Sequence, residues 1–160
     1  MIRDAVKNDL DQIMEIIKTA KQYMIDSGNK TQWSGSYPSR EVFEQDLQNK
    51  QLYVCENEEG IYGVFVFVIG NDPFYAHIEK GQWMNEEPYG TIHRIASSGK
   101  VKGVFQECCS FCKDQIENIR IDTHKDNHTM QHMIRKNGFQ KCGIVYVRDH
   151  SERIAYQYKK

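Results

Sequence analysis

Ile92-His93-Arg94-Ile95-Ala96-Ser97-Ser98-Gly99-Lys100-Val101-Lys102-Gly103-Val104 is the stretch on which the reading of this chain turns. The apolar and β-branched residues at its start predict a strand over residues 91–97. Ser98-Gly99-Lys100 breaks that pattern. Phe105, Cys108, Cys109, Cys112 and Ile116 then return at helical spacing, which predicts a helix over roughly residues 103–117. A strand that runs through a short Gly and Lys loop into a helix leaves the first helical N–H groups without intrahelical acceptors, and the helix dipole adds partial positive charge there. Such a point binds an anion, most naturally a phosphate. Lys100 and Lys102 add charge, and Gly103 omits a side chain where a pyrophosphate would press against the backbone. The same residues also suit a soluble turn with no ligand. The stretch is neither the P-loop, which needs Gly-x4-Gly-Lys-Ser/Thr, nor the Gly-x-Gly-x-x-Gly dinucleotide fingerprint.

Working outward, Ile2 to Ala5 reads as a strand, and Leu10, Ile13, Ile17, Ala20 and Met24 recur at helical spacing, with Asn8 as the expected cap. Ser39 or Arg40 opens a second helix that ends near Asn49. Residues 51–57 and 61–69 form a hairpin about Glu58-Glu59-Gly60. Residues 71–90 are irregular and aromatic-rich. After the central helix, residues 119–122 read as a strand, 127–137 as a helix ended by Gly138, and 139–147 with 153–158 as a final strand pair. This alternation describes an α/β (α+β) chain with a mixed sheet.

With 160 residues, 39% hydrophobic and 27% charged, the sequence is expected to form one domain over residues 1–160. Val64 to Ile69 is the longest apolar run, strand-sized and too short to span a bilayer. Met1 to Ala5 lacks the pattern of an export signal, so the expected location is the cytoplasm, with no membrane partner. A formal net charge of -1 provides no global positive field for nucleic acid, so any anion site is local. Five cysteines, three of them crowded between Cys108 and Cys112, do not pair simply and read as reduced thiols.

The stretch from Ile92 to Ala96, followed by Lys100-x-x-Gly103-x-Phe105, resembles the coenzyme A pyrophosphate motif of the GNAT acetyltransferase family, usually Arg/Gln-x-x-Gly-x-Gly/Ala. Asp126-Asn127, an amphipathic helix and Lys136-Asn137-Gly138-Phe139 resemble that family's next segment, in the same order and spacing. The resemblance implies a central mixed, mostly antiparallel sheet with helices on both faces and a splayed strand pair that holds acetyl-coenzyme A. It implies that the backbone of Ile95 and Ala96 pairs with the pantetheine arm. By the same likeness Val101, Lys102, Gly103 and Val104 offer N–H groups to the pyrophosphate, Lys100 replaces the usual Arg or Gln, and Asn127 faces the pantetheine or thioester. The implied activity is transfer of acetyl from acetyl-coenzyme A to a primary amine by direct attack in a ternary complex. The acceptor is a small molecule or peptide, and a homodimer is consistent with the family.

Two positions depart from the family pattern. Phe105 stands where Gly or Ala is usual, and Ile134, seven residues after Asn127, stands where many members carry a Tyr that protonates the departing thiolate. Solvent or Tyr146 would take that part. An amine acceptor arrives protonated and needs a base, for which His93 is the candidate because imidazole titrates near working pH. A side chain packed beside the sheet is the competing reading for His93, and Arg94, on the opposite strand face, reads as structural. Trp33, Tyr37, Tyr75 and Trp83 lie in loops with which the family walls its acceptor site, and aromatics of this kind equally serve to cover a core. An acyl-coenzyme A binding module without turnover is the first alternative. The second, a zinc-stabilised domain, rests on Cys109-x2-Cys112 and His124-x3-His128. The cysteines fall on a helical apolar stripe rather than a hairpin, so no metal is expected.

Overall fold

The computed structural model describes residues 1–160. Its elements follow the order β1 (Ile2–Asp4), α1 (Leu10–Asp26), α2 (Arg40–Gln48), β2 (Leu52–Asn57), β3 (Gly60–Ile69), β4 (Gly90–Ser97), α3 (Val104–Lys113), β5 (Asn118–Thr123), α4 (His128–Lys136), β6 (Gln140–Tyr146) and β7 (Glu152–Lys159). The strands form a seven-stranded, mostly antiparallel mixed sheet in the order β1-β2-β3-β4-β5-β7-β6, a mixed sheet as the alternation of elements predicts and mostly antiparallel as the resemblance implies. No helix is long and apolar enough to cross a membrane.

Two compact units make up the chain, residues 1–67 with 93–108, and residues 68–92 with 109–160. In the first, β1 pairs antiparallel with β2 through Arg3 opposite Val54, and β2 pairs with β3 through Val54 opposite Val64. Leu10, Ile13 and Ile17 of α1 and Phe43 of α2 are all buried, and each such aliphatic or aromatic side chain contributes about 1.5–3 kcal/mol when removed from water. Asn8 does not cap α1. A short 3-10 turn over Lys7–Asp9 precedes the helix, and Asp9 is the residue with polar work to do. Its carboxylate accepts from the Val6 N–H at 2.8 Å and from both terminal nitrogens of Arg3 at 2.8 and 3.0 Å. The Arg3 guanidinium holds that carboxyl below its usual range. α2 starts as expected, with the Ser39 hydroxyl accepting from the Val42 N–H.

In the second unit, β5 pairs antiparallel with β7 and β7 with β6, while Gly90 and Thr91 at the start of β4 pair parallel with Ile119 and Arg120 of β5. α4 is capped at its start by Asn127, whose side-chain oxygen accepts from the Met130 N–H at 3.0 Å. It closes at Gly138, whose φ of +92° suits glycine at a helix end. The irregular segment between β3 and β4 folds back through an isolated antiparallel bridge between Glu79 and Ile144. Three of its four aromatics fill space. Tyr75 and Tyr89 are buried with Val145 and Ala155, and Ile78 and Trp83 pack against them.

α3 ends at Lys113, four residues short of the helix expected from its apolar spacing. The chain turns at Asp114 and Gln115 once Cys112, the last fully buried position of the stripe, has been placed, and β5 begins at Asn118. Ile116, read as part of the stripe, lies between that turn and β5.

Candidate functional site

The strand-loop-helix segment is folded as its sequence requires. Gly99 and Gly103 have φ of +82° and +77°, values that L side chains adopt with strain. A Cβ added at either glycine would meet nothing within 4 Å, so the space in front of both is open. Ser97 and Ser98 turn the chain by accepting, through their hydroxyls, from the N–H groups of Gly99 at 3.1 Å and Lys100 at 3.2 Å. Those two amides are therefore engaged in the turn. The first α-helical bond of α3 runs from the Glu107 N–H to the Gly103 carbonyl at 3.0 Å. A helix so begun presents its first N–H groups outward, and glycine at the preceding position has no side chain with which to cap them. This contrasts with α2 and α4, capped by Ser39 and Asn127.

Lys100 and Lys102 are exposed around this point, Val101 is half-buried, and Val104 is buried. Gly63 of β3 sets the close seating of the helix start, since a Cβ there would lie 2.9 Å from a Val104 methyl and 3.2 Å from the Cys55 sulfur. Phe105 is 5% exposed. Its ring therefore lies in the core, and the bulk that departs from the family pattern is turned away from the open side of the loop.

His93 and Ile95 are half-buried on β4, and Ala96 is buried. Between them, Arg94 has a φ of +46°, a left-handed backbone inside a strand. Such a conformation departs from extended backbone and turns the strand at that point. The Arg94 guanidinium grips Asp46 of α2 through two bonds, Nε to Oδ2 at 2.9 Å and Nη2 to Oδ1 at 2.6 Å, and donates from Nη1 to the Tyr37 hydroxyl at 3.1 Å. Tyr37, expected beside an acceptor, thus partners a strand residue, and Trp33 is buried at 8% exposure.

In the second unit Asn127 spends its side-chain oxygen on the cap of α4. Gln131, four residues on, donates to the carbonyls of His124 at 3.1 Å and Lys125 at 2.8 Å, which fixes the loop before the helix. His124 accepts at Nδ1 from the Asp126 N–H at 3.0 Å, and burial pushes its pKa down, so the neutral ring is favoured. Tyr75 is 2% exposed and donates its hydroxyl to Asp122 at 2.5 Å. Burial first, then the Asp122 carboxylate, holds that phenol protonated. Tyr146 is half-buried and donates to Glu79 at 2.8 Å, and that bond raises its pKa. Ile134 is fully buried.

Cys109 and Cys112 are buried in α3. Desolvation pushes the Cys109 thiol up to about 12 and raises Cys112 as well, so neither is a ready thiolate for metal or nucleophilic chemistry. Three side chains with structural consequence escape a reading by sequence. Asp46 had a signal, because it lies three residues after Phe43 on the apolar face of α2, and a buried carboxylate requires a cation. Asp122 and Arg120 had none. Arg120 is stacked between Trp83 and Tyr89, at 4.1 and 3.9 Å from their ring centres.

The backbone is shared, at a TM-score of 0.92, with the crystal structure of an acetyltransferase of the GNAT family from Streptococcus agalactiae 2603, which is 32% identical over 100% of this chain and 95% of its own. The chain belongs to the GNAT acetyltransferase family. A second neighbour, a putative acetyltransferase from Staphylococcus aureus Mu50, is 30% identical over 99% of this chain and 98% of its own, with a TM-score of 0.73. At 13% identity, the NatC complex bound to Gag peptide and CoA shares the fold alone, with a TM-score of 0.65 and coverage of 100% of this chain and 98% of that one. No protein-family model matches this GNAT chain, and no curated protein matches it either.

Proposed function

We propose that this chain is an N-acetyltransferase that takes acetyl from acetyl-coenzyme A and gives it to a primary amine. The observation that carries the donor half is the start of α3 at Gly103, which has no side chain to cap the helix, with open space before Gly99 and Gly103 and with Lys100 and Lys102 exposed beside it. The N–H groups of Val101, Lys102, Gly103 and Val104 would hold the pyrophosphate, using the helix dipole and the loop rather than a specific side chain. Backbone contacts of this kind tolerate Lys100 in place of the usual Arg or Gln. Ile95 and Ala96 would pair with the pantetheine arm.

For the acceptor half, the neutral amine attacks the thioester carbonyl, the C–N bond forms, and a backbone N–H near Ile95 or Ala96 stabilises the oxyanion. Collapse breaks the C–S bond. His93 takes the proton that the amine must lose, directly or through water. The leaving thiolate takes a proton from solvent. Tyr146 would have to give up its bond to Glu79 to do the same, and a thiol of pKa about 8.5 leaves tolerably without an acid. No covalent enzyme intermediate is required.

Substitution of Gly103 by Val tests the donor half. The wild-type φ of +77° is strained for a β-branched residue, and the new side chain projects into the space proposed for pyrophosphate. Strain of about 1–3 kcal/mol is expected to lower Tm by a few degrees. Affinity for acetyl-coenzyme A should fall further, by at least about tenfold, because a shift of 1.4 kcal/mol already gives that factor. Equal affinity in calorimetry would remove this loop from the site.

The fully buried Ile134, where many members have a tyrosine, favours the second reading, a coenzyme-binding module without turnover. A thiol-release assay over small amines, polyamines, amino acids and peptides separates the two. Release with at least one amine supports the enzyme, and binding without release from any of a broad panel supports the module.

A further inference from the structure

Left-handed backbone at a residue other than glycine is rare and persists only where the surroundings impose it. Arg94 has it in the middle of β4, at a φ of +46°. The guanidinium is tied at three points, twice to Asp46 and once to Tyr37, and the side chains of Arg94 and Asp46 are only 17% and 7% exposed. Asp46 is itself anchored, since it sits on α2 one turn after Phe43, a side chain with no exposed surface. A fork-on-carboxylate pair fixes direction as well as distance. The next residues along the strand, Ile95 and Ala96, are those proposed above to meet the pantetheine arm.

We infer that Arg94 is a positioning residue for coenzyme binding. Its clamp by Asp46 and Tyr37 holds the left-handed backbone in β4, and that local turn of the strand aims the backbone of Ile95, Ala96 and the following loop toward the coenzyme. The inference rests on the functional reading given above. Arg94 touches no substrate in this account, and its influence runs through φ at one residue.

That route gives a signature which a purely structural ion pair lacks. In an Asp46→Asn background the clamp is weakened, and an arginine at residue 94 then relaxes toward extended backbone. Adding Arg94→Gly makes the left-handed conformation accessible again, whereas adding Arg94→Ala does not. Titrations of acetyl-coenzyme A are expected to give a Kd roughly tenfold higher for Asp46→Asn/Arg94→Ala than for Asp46→Asn/Arg94→Gly. The thermal order should be the reverse or flat, because glycine weakens a strand interior. The better binder would be the less stable protein.

If Asp46→Asn/Arg94→Ala does not fold, the comparison between Asp46→Asn and Asp46→Asn/Arg94→Gly decides alone, with glycine expected to bind more tightly. Equal or weaker binding by the glycine variants, alongside a wild type that binds, overturns the positioning role and leaves the functional reading standing. A wild type that binds no acetyl-coenzyme A overturns both.

Discussion

A His93→Gln enzyme is expected to lose about 10²–10⁴ in kcat near pH 7 while binding acetyl-coenzyme A as the wild type does. Glutamine approximates the size and hydrogen-bonding reach of imidazole but cannot take a proton, so the substitution isolates base chemistry from packing. Alkyl ammonium groups of the lysine type titrate near 10.4, and at neutral pH nearly all of the acceptor is protonated. With His93 as the proposed base, the wild type would remove that proton within the bound complex. The variant must wait for the rare neutral amine. Its deficit should therefore shrink as pH rises toward the amine's own pKa, and the rate should keep climbing where the wild-type profile has levelled. Thiol release measured from pH 6 to 10 reads this directly. A profile that matches the wild type at every pH would remove His93 from the mechanism and return it to the role of a side chain packed beside the sheet.

Gly81→Ala is expected to be the most destabilising small substitution in the second unit. A Cβ at this residue would lie 1.9 Å from the Cys142 carbonyl oxygen, and its φ of +156° is at the edge of what L residues adopt. The obstacle is backbone, which cannot swing away as a side-chain tip can. The segment must instead lift from β6, with loss of the paired bonds between Glu79 and Ile144 at 2.9 and 2.8 Å. Behind that bridge, the Trp83 indole N–H donates to the Tyr75 carbonyl at 2.9 Å, and Trp83 stacks on Arg120. Overpacking and the broken bridge together should cost about 3 kcal/mol or more, a Tm fall near 10 °C for a chain of this size. Thermal unfolding by circular dichroism checks it. A variant within about 2 °C of the wild type would mean that the segment accommodates the methyl without leaving β6.

The β4-loop-α3 segment was legible because its information is local. The apolar strand, the two glycines and the helical stripe of cysteines lie in sequence order, and each has one natural backbone. Asn127 and Gly138 marked α4 for the same reason. The left-handed backbone at Arg94 was not legible, because nothing in an arginine announces a positive φ. The carboxylate that holds its guanidinium lies 48 residues away in Asp46, and no local rule joins the two. The aromatics of the segment before β4 carry two readings, wall of an acceptor site or cover for the core, because loop signals fit both. Tyr75 is 2% exposed and bonded to Asp122. A segment without regular structure still has to cover the sheet, and large rings do that well.

The acyl donor is the part of the account with the firmest footing, and it can be tested without knowing the acceptor. Calorimetric titration of the wild-type protein with acetyl-coenzyme A is predicted to show one site per chain with a Kd below about 1 mM, the upper end of ordinary substrate affinities. Titration to several millimolar with no binding heat at two temperatures would contradict the account at its centre.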